Sequence, residues 1–284
     1  MARTKTLHGQ AVAPGIVIGP ALLLRRERRE IKPETVSPAQ VEAEIARLDE
    51  AITRTRHDIQ GHRRKATRTL GEIVARIFDA HLMILEDEPT LDTVRKSIAE
   101  EGWAAEYALY KTLSSVAATL GSQKEDLFRD RAQDVRDVCA RLLGHLTGQE
   151  TDAVLEVKEP SILLTSQLTP SDVLQVDPNL ILGVATEAGG ATSHTAILTR
   201  SIGVPSVVGL VDMLGEVSPG DLVVINGNSG KVVLRPGKSQ LARYREKEAQ
   251  YRAFVESLKD IHDLPAETVD GRRLELAANI ELAS

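Results

Sequence analysis

The sequence predicts an α/β domain interrupted by an all-α helical bundle and followed by a linker helix at the C-terminal end. Three observations predict it: strand-like runs on both sides of a helical block, helical apolar spacing throughout that block, and one more long helical pattern after the last strand. At 284 residues, 42% hydrophobic and 27% charged, the chain has the length and composition of two domains with their own cores.

Residues 6–24 read as short strands broken by Gly9, Pro14-Gly15 and Gly19-Pro20. Ser37-Pro38 is an N-cap followed by Pro at the first helical position. Val41, Ile45, Leu48, Ile52 and Ile59 then recur at helical spacing. Further helices are expected over roughly 69–87, 103–120 and 131–147. The period returns to strand-like in Ser161–Leu164, Leu180–Val184 and Leu222–Ile225, and Asn226-Gly227 invites a hairpin into Lys231–Leu234. Residues 238–259 form a helix with Leu241, Tyr244, Tyr251, Val255 and Leu258 on one stripe. An inserted bundle explains this order, because two consecutive domains would leave the first strands unpaired. The expected division is 1–34 with 149–237 for the α/β domain, 35–148 for the bundle, 238–262 for the linker helix, and 263–284 as the opening of a further domain. Its strand-like tail ends in Ala277-Ala278-Asn279-Ile280.

Composition narrows the function classes. The net charge of −6 argues against a nucleic-acid partner. The basic clusters at Arg25-Arg26 with Arg28-Arg29 and at Arg63-Arg64-Lys65 read as solvated faces. A single cysteine, Cys139, excludes an internal disulfide, and no signal-peptide or membrane-spanning run is present, so a cytosolic location is expected.

The chemistry concentrates in Glu187–Gly209. A strand runs into Gly189-Gly190, Ser193 is placed to cap a helix, and His194 stands in its first turn. Glycines let backbone N–H groups approach an anion, and the helix N-terminus adds partial positive charge. Gly189, Gly190, Thr192, Ser193 and Thr195 therefore form a candidate anion cradle around His194, which is alternatively a polar surface residue or cap. The same dipole disfavours the imidazolium and leaves a neutral ring nitrogen as nucleophile. Gly203 and Pro205 end the helix.

The phrase GG-x-TSH-x-AI-x-x-R followed by G-x-P-x-V-V-G resembles the phosphohistidine signature shared by enzyme I of the bacterial phosphotransferase system, pyruvate phosphate dikinase and phosphoenolpyruvate synthase. Leu168-Thr169-Pro170-Ser171-Asp172 looks like the segment that precedes the site in the whole group. The helical block resembles enzyme I only. Phe78–Glu88 is similar to its H-x-M-L-x-E-D-E phrase and Asp130–Asp137 to its ERA-x-DVRD phrase, and the opening Gly9…Ala13-Pro14-Gly15-Ile16 and the ending Asp270-Gly271…Ala278-Asn279-Ile280 also match.

The resemblance implies a phosphohistidine (swivelling) α/β domain. It implies a phosphoryl group taken from phosphoenolpyruvate onto Nε2 of His194, then passed to Nδ1 of a histidine on the small phosphocarrier protein, which docks on the helical block. The phosphoenolpyruvate-binding barrel, with its Mg²⁺ site and catalytic cysteine, would begin where this chain ends. No cofactor or metal is therefore expected within these residues, and the piece is expected to be a monomer where the full-length enzyme is a homodimer. Many enzyme I sequences carry a threonine after the preceding segment that can bond the active histidine; here that position falls on Val173. Thr169 and Arg200 are candidates for supporting the site, Arg200 alternatively serving only as a favourable cation at the helix end. No sensory domain precedes Leu7, which favours the sugar branch over the nitrogen branch.

On the helix near 77–87, Ile77, Phe78, His81, Leu82 and Leu85 form the expected core stripe. Ala80, Met83 and Ile84 form a second stripe, meaning either a helix buried all round or a partner surface. His81, Met83, Ile84 and Arg131 are the candidate partner contacts. His81 is alternatively a core or rim histidine. Arg131, read with Arg136 as opening a helix, is alternatively an ion-pair partner of Asp130 or Asp134.

Three other motifs carry nothing. Gly227–Lys231 echoes a P-loop at too short a spacing, no His/Cys cluster suggests a metal, and the adjacent Ser193 and His194 cannot converge as a triad. Two rival functions stay open here: the swivelling domain of a dikinase or synthase, and a non-catalytic adaptor that binds carrier proteins.

Overall fold

The computed structural model describes residues 3–25, 31–123, 125–148, 157, 159–190, 193–260 and 264–275. In chain order the first elements are β1 (Lys5–His8), β2 (Gln10–Ala13) and β3 (Ile16–Leu24). A 3₁₀ turn at Pro38–Gln40 leads into α1 (Val41–Thr69), α2 (Glu72–Leu85), α3 (Glu88–Glu101), α4 (Ala105–Gly121) and α5 (Asp126–Thr147). Then come β4 (Ser161–Thr165), α6 (Pro170–Gln175), β5 (Ile181–Thr186), α7 (His194–Ile202), β6 (Ser206–Val208), β7 (Leu222–Asn226), β8 (Lys231–Leu234) and α8 (Lys238–Lys259). The chain divides into two compact units, one holding the strands with α7 and α8, the other holding Arg25–Glu156 together with Leu168–Val176.

In the α/β unit the strand order is β1-β8-β7-β3-β4-β5-β6-β2. β3 pairs antiparallel with β7 and parallel with β4, so the first strands find their partners far along the chain. β4, β5 and β6 continue the parallel part. The consecutive strands β1 and β2 lie at opposite ends of this order, and Gly9 joins them. Its N–H donates to Gly230 O at 2.8 Å, and a Cβ on Gly9 would stand only 2.4 Å from Val208 O. Only glycine fits that closure. Alternation sorts β7 and β8 between two faces. Val223, Ile225, Val232 and Leu234 enter the main core with Ile162, Leu164 and Val207, while Val224 and Val233 pack with Ile16 against Tyr244 of α8.

Two expectations change here. β3 runs straight through Gly19-Pro20. Pro20 sits where pairing with β7 ends and pairing with β4 begins at Ala21, so no ladder bond calls for its missing N–H. The expected stripe on α8 is buried only at Tyr244, whereas Val255 and Leu258 are exposed with Phe254. The segment Thr268–Arg272 forms a tight turn, and the strand-like tail at 277–280 lies outside the described residues.

The helical unit buries Leu48, Ile52 and Ile59 of α1 with Val74, Ile77, Phe78 and Leu85 of α2 and Leu109, Leu113, Val138 and Leu142 of α4 and α5. Glu44, itself buried, accepts the N–H of Ala105 at 2.8 Å, holding the first turn of α4. α3 is a further helix beyond those expected from the apolar spacing. Its signals are Pro89 in the first turn, Leu91, Val94 and Ile98 buried at helical spacing, and left-handed Gly102 at its end. Leu168–Val176 departs from the expected division, which assigned it to the α/β domain. α6 joins the helices because Lys65 Nζ donates to Leu174 O at 2.6 Å and the Arg141 guanidinium donates to the Ser171 hydroxyl.

Candidate functional site

The loop before α7 is built by backbone bonds. Parallel pairing of β4 and β5 extends past the strand ends, with Glu187 N–H on Thr165 O at 3.1 Å and Ala188 N–H on Ser166 O at 2.8 Å. The Glu187 carboxylate accepts the N–H of Leu214 at 2.8 Å. These bonds deliver a fixed chain end to Gly189, which takes φ +107°. A Cβ there would stand 3.0 Å from Thr195 Cβ and 3.1 Å from Ser193 Oγ. Both the backbone angle and the space demand glycine.

Ser193 is the N-cap of α7. Its hydroxyl accepts from Ala196 N–H at 3.4 Å and Gly190 N–H at 3.1 Å and donates to Gly190 O at 2.8 Å, tying the loop to the helix start. His194 is the first helical residue and half-buried. The amides of His194 and Thr195 fall in the first turn of α7, and a helix N-terminus favours an anion. Thr195 is buried, its β-carbon packed at Gly189. Of the expected cradle, Thr192 lies outside the described residues.

Of the two support candidates, Thr169 belongs to the helical unit. It is the N-cap of α6, its hydroxyl donating to Asp172 Oδ2 at 2.8 Å while its N–H donates to the same oxygen at 2.7 Å. Val173 is buried in the same short helix. Arg200 stands in the last turn of α7, about 9 Å along the axis from His194 at 1.5 Å per residue. Its Nε donates to Val12 O at 3.3 Å. This placement fits the helix-end reading of Arg200. The structure adds Gln10 of β2, whose Oε1 lies 3.7 Å from the position of a Cβ on Gly190. No sequence signal links residues so far apart; only the pairing of β2 with β6 brings them together.

In the helical unit, Met83, Ile84 and Arg131 line one groove of about 320 Å³ with Ala80, Leu113, Val116, Leu120 and Val135, and with Asp87 and Thr90 at its polar edge. Met83 is 72% exposed and Ile84 half-buried, so these two open on the groove, whereas Ala80 of the same stripe is buried in the bundle core. α5 begins at Asp126, which puts Arg131 in its second turn rather than at its opening.

His81 is corrected as a contact. At 1% exposed it cannot touch a partner. Its ring packs edge-on to Phe78, with Nε2 3.3 Å from Asp134 Oδ1 but off the hydrogen-bonding line. The other carboxylate oxygen, Asp134 Oδ2, accepts from Arg131 Nη1 at 3.1 Å. Asp134, expected only as an ion-pair partner, is buried beside His81, a placement set by the packing of α2 on α5 that no local sequence signal carries.

Burial pushes the Cys139 thiol up to about 12, which removes it as a nucleophile near neutral pH. Among the described residues no group of three or more His, Cys, Asp or Glu could hold a metal ion, and no helix is long and apolar enough to cross a membrane.

The chain is similar to known proteins along nearly its whole length. Residues 8–131 match the model of the PEP-utilising enzyme N-terminal family, and 157–230 match the PEP-utilising enzyme mobile domain. The phosphoenolpyruvate-protein phosphotransferase of Geobacillus stearothermophilus is 38% identical over 98% of this chain and 48% of its own length. That of Bacillus subtilis is 34% identical over 96% of this chain and 48% of its own. The chain thus spans about half the length of the curated relatives it matches. An NMR solution structure of Enzyme I aligns with TM-score 0.68 and 35% identity, over 87% of this chain and 99% of that one. The N-terminal domain of Enzyme 1 – Nitrogen, 21% identical with TM-score 0.53, shares the fold.

Proposed function

Because the chain belongs to the Enzyme I family of PEP-utilising proteins, we propose that it carries a phosphoryl group on His194 and exchanges it with a histidine of the phosphocarrier protein. The single observation that carries this reading is His194 at the start of a capped helix, directly after a glycine loop held by backbone bonds. The α/β unit is the phosphohistidine (swivelling) domain of this reading. The Nε2 lone pair of His194 attacks phosphorus, the new P–N bond forms, and the P–N bond to Nδ1 of the carrier breaks, returning an electron pair to that imidazole. The reverse step passes the group on. Such transfer requires little covalent work from the protein; it depends on orientation and on dipoles aimed at the phosphoryl oxygens. The first-turn amides of α7 and the Gly189-Gly190 loop supply those dipoles.

The carrier docks in the helical unit's groove through Met83, Ile84 and Arg131. Holding the small protein there makes transfer an oriented, nearly unimolecular step. These 284 residues perform the histidine-to-carrier half. Phosphoenolpyruvate and its Mg²⁺ belong to the half of the relatives that this chain does not span, and the whole operates in the cytoplasm.

The test uses the purified chain in two arms. Incubation with radiolabelled phosphocarrier is expected to move label onto the chain. Incubation with labelled phosphoenolpyruvate and Mg²⁺ is expected to leave it unlabelled. Labelling from phosphoenolpyruvate alone contradicts the division of labour, and no labelling from the carrier contradicts the function.

A further inference from the structure

Beneath the groove, α2 and α5 meet at three polar side chains in an otherwise apolar contact. Asp134 is 2% exposed, and a carboxylate so deeply buried is stable only with charged or donor neighbours. On one side Arg131 Nη1 donates to its Oδ2 at 3.1 Å; on the other, His81 Nε2 stands 3.3 Å from its Oδ1. His81 is 1% exposed, and neither ring nitrogen makes a hydrogen bond among the described residues. A buried imidazole without hydrogen bonds is a poor core residue compared with leucine, so packing alone gives no reason for it.

We propose that Asp134, braced by His81, is the positioning residue that holds the Arg131 guanidinium at the groove for the docked phosphocarrier; this rests on the reading that the carrier occupies that groove. Arg131 is both a groove-lining residue and 44% exposed at its side chain. A long side chain with that exposure samples many rotamers, and ordering it during binding costs affinity. A buried carboxylate anchor removes part of that cost beforehand. The guanidinium can bond Asp134 through one nitrogen and keep donors for the partner, which a lysine could not do in the same planar geometry. His81 limits how Asp134 can turn, because its ring fills the space on the far side of the carboxylate. Asp134 and His81 are too deeply buried to touch a docked partner, so both act through Arg131.

The experiment is a double-mutant cycle read by calorimetric binding of the unphosphorylated phosphocarrier to the whole chain. Arg131→Met and Asp134→Asn are each expected to weaken Kd about tenfold, and the double variant no further than about twofold beyond either one, because the two residues act as one unit. In phosphotransfer from the phosphorylated carrier, the effect of Asp134→Asn falls on KM rather than kcat. Should Asp134→Asn not fold, His81→Leu carries the test: carrier binding is expected to weaken about threefold at an unlowered thermal midpoint. Multiplying effects in the cycle, or a folded Asp134→Asn or His81→Leu that binds as tightly as wild type, overturns the proposal. Met83→Ala with Ile84→Ala separates the two readings. If that pair binds normally, the groove reading falls and the proposal with it; if it binds weakly while Asp134→Asn is inert, the proposal alone falls.

Discussion

The two units place function on different kinds of scaffold. In the α/β unit the candidate site is almost all backbone: Gly189 at a left-handed angle, Ala188 bonded to Ser166 O, and Ser193 closing the loop onto the helix start. In the helical unit the candidate site is all side chain, a groove between α2, α4 and α5 that continues a buried core to the surface. A backbone site tolerates very few residue types at its turning points. A side-chain groove tolerates many, provided that volume and polarity are kept.

Four experiments probe that contrast, in descending order of expected effect. Gly189→Val forces a β-branched residue to φ +107° and against Thr195. Phosphoryl acceptance from the carrier should fall by about two to three orders of magnitude, as when a preorganised donor set is lost, in a rapid-quench assay. A near-normal rate means that the loop is not the cradle. Tyr244→Ala opens the contact of α8 with Val224 and Val233 and should destabilise the α/β unit by about 3 kcal/mol in urea unfolding. Phe254→Ala, on an exposed stretch of the same helix, should stay within about 0.5 kcal/mol. Equal losses at the two positions mean that the exposed stripe has a partner.

Third, Met83→Ala with Ile84→Ala should weaken carrier binding at least about tenfold with unchanged far-UV circular dichroism. Smallest is Asp221→Asn. The Ser218 N–H, and then the Arg235 guanidinium, hold the Asp221 carboxyl below its ordinary 3.8. A depressed folded value stabilises above the unfolded value and loses that contribution as pH falls through the folded one. The thermal midpoint of Asp221→Asn should therefore lie below wild type at pH 7, and the gap should close in acid. A gap that widens in acid contradicts the assignment.

The same contrast explains what the sequence made legible. Gly189, Ser193 and Gly203 could be read because backbone requirements name residue types at fixed spacing, and the positive φ of Gly189, the helix cap and its left-handed end are observed at those positions. Met83 and Ile84 could be read only as a second apolar stripe, since helical periodicity says which residues share a face and not what covers it. The burial of Asp134, the burial of His81 and the approach of Gln10 to Gly190 depend on contacts between elements distant in sequence. The continuous β3 through Gly19-Pro20 was misread for a related reason: a proline breaks a strand only where a ladder bond is required, and the hand-over from β7 to β4 is set by tertiary pairing. The move of Leu168–Val176 to the helical unit is likewise a matter of two side-chain bonds from Lys65 and Arg141.

The most direct measurement of the central claim is mapping of the phosphorylated residue after label transfer from the carrier, in the wild-type chain and in His194→Ala. His194 starts a helix at a half-buried loop rather than filling a core, so the variant should fold with an unchanged circular dichroism spectrum. The account predicts acid-labile, base-stable phosphate on the peptide containing His194 in wild type and none in the variant. Phosphate on another residue of the wild-type chain, or a phosphorylated His194→Ala, would contradict it.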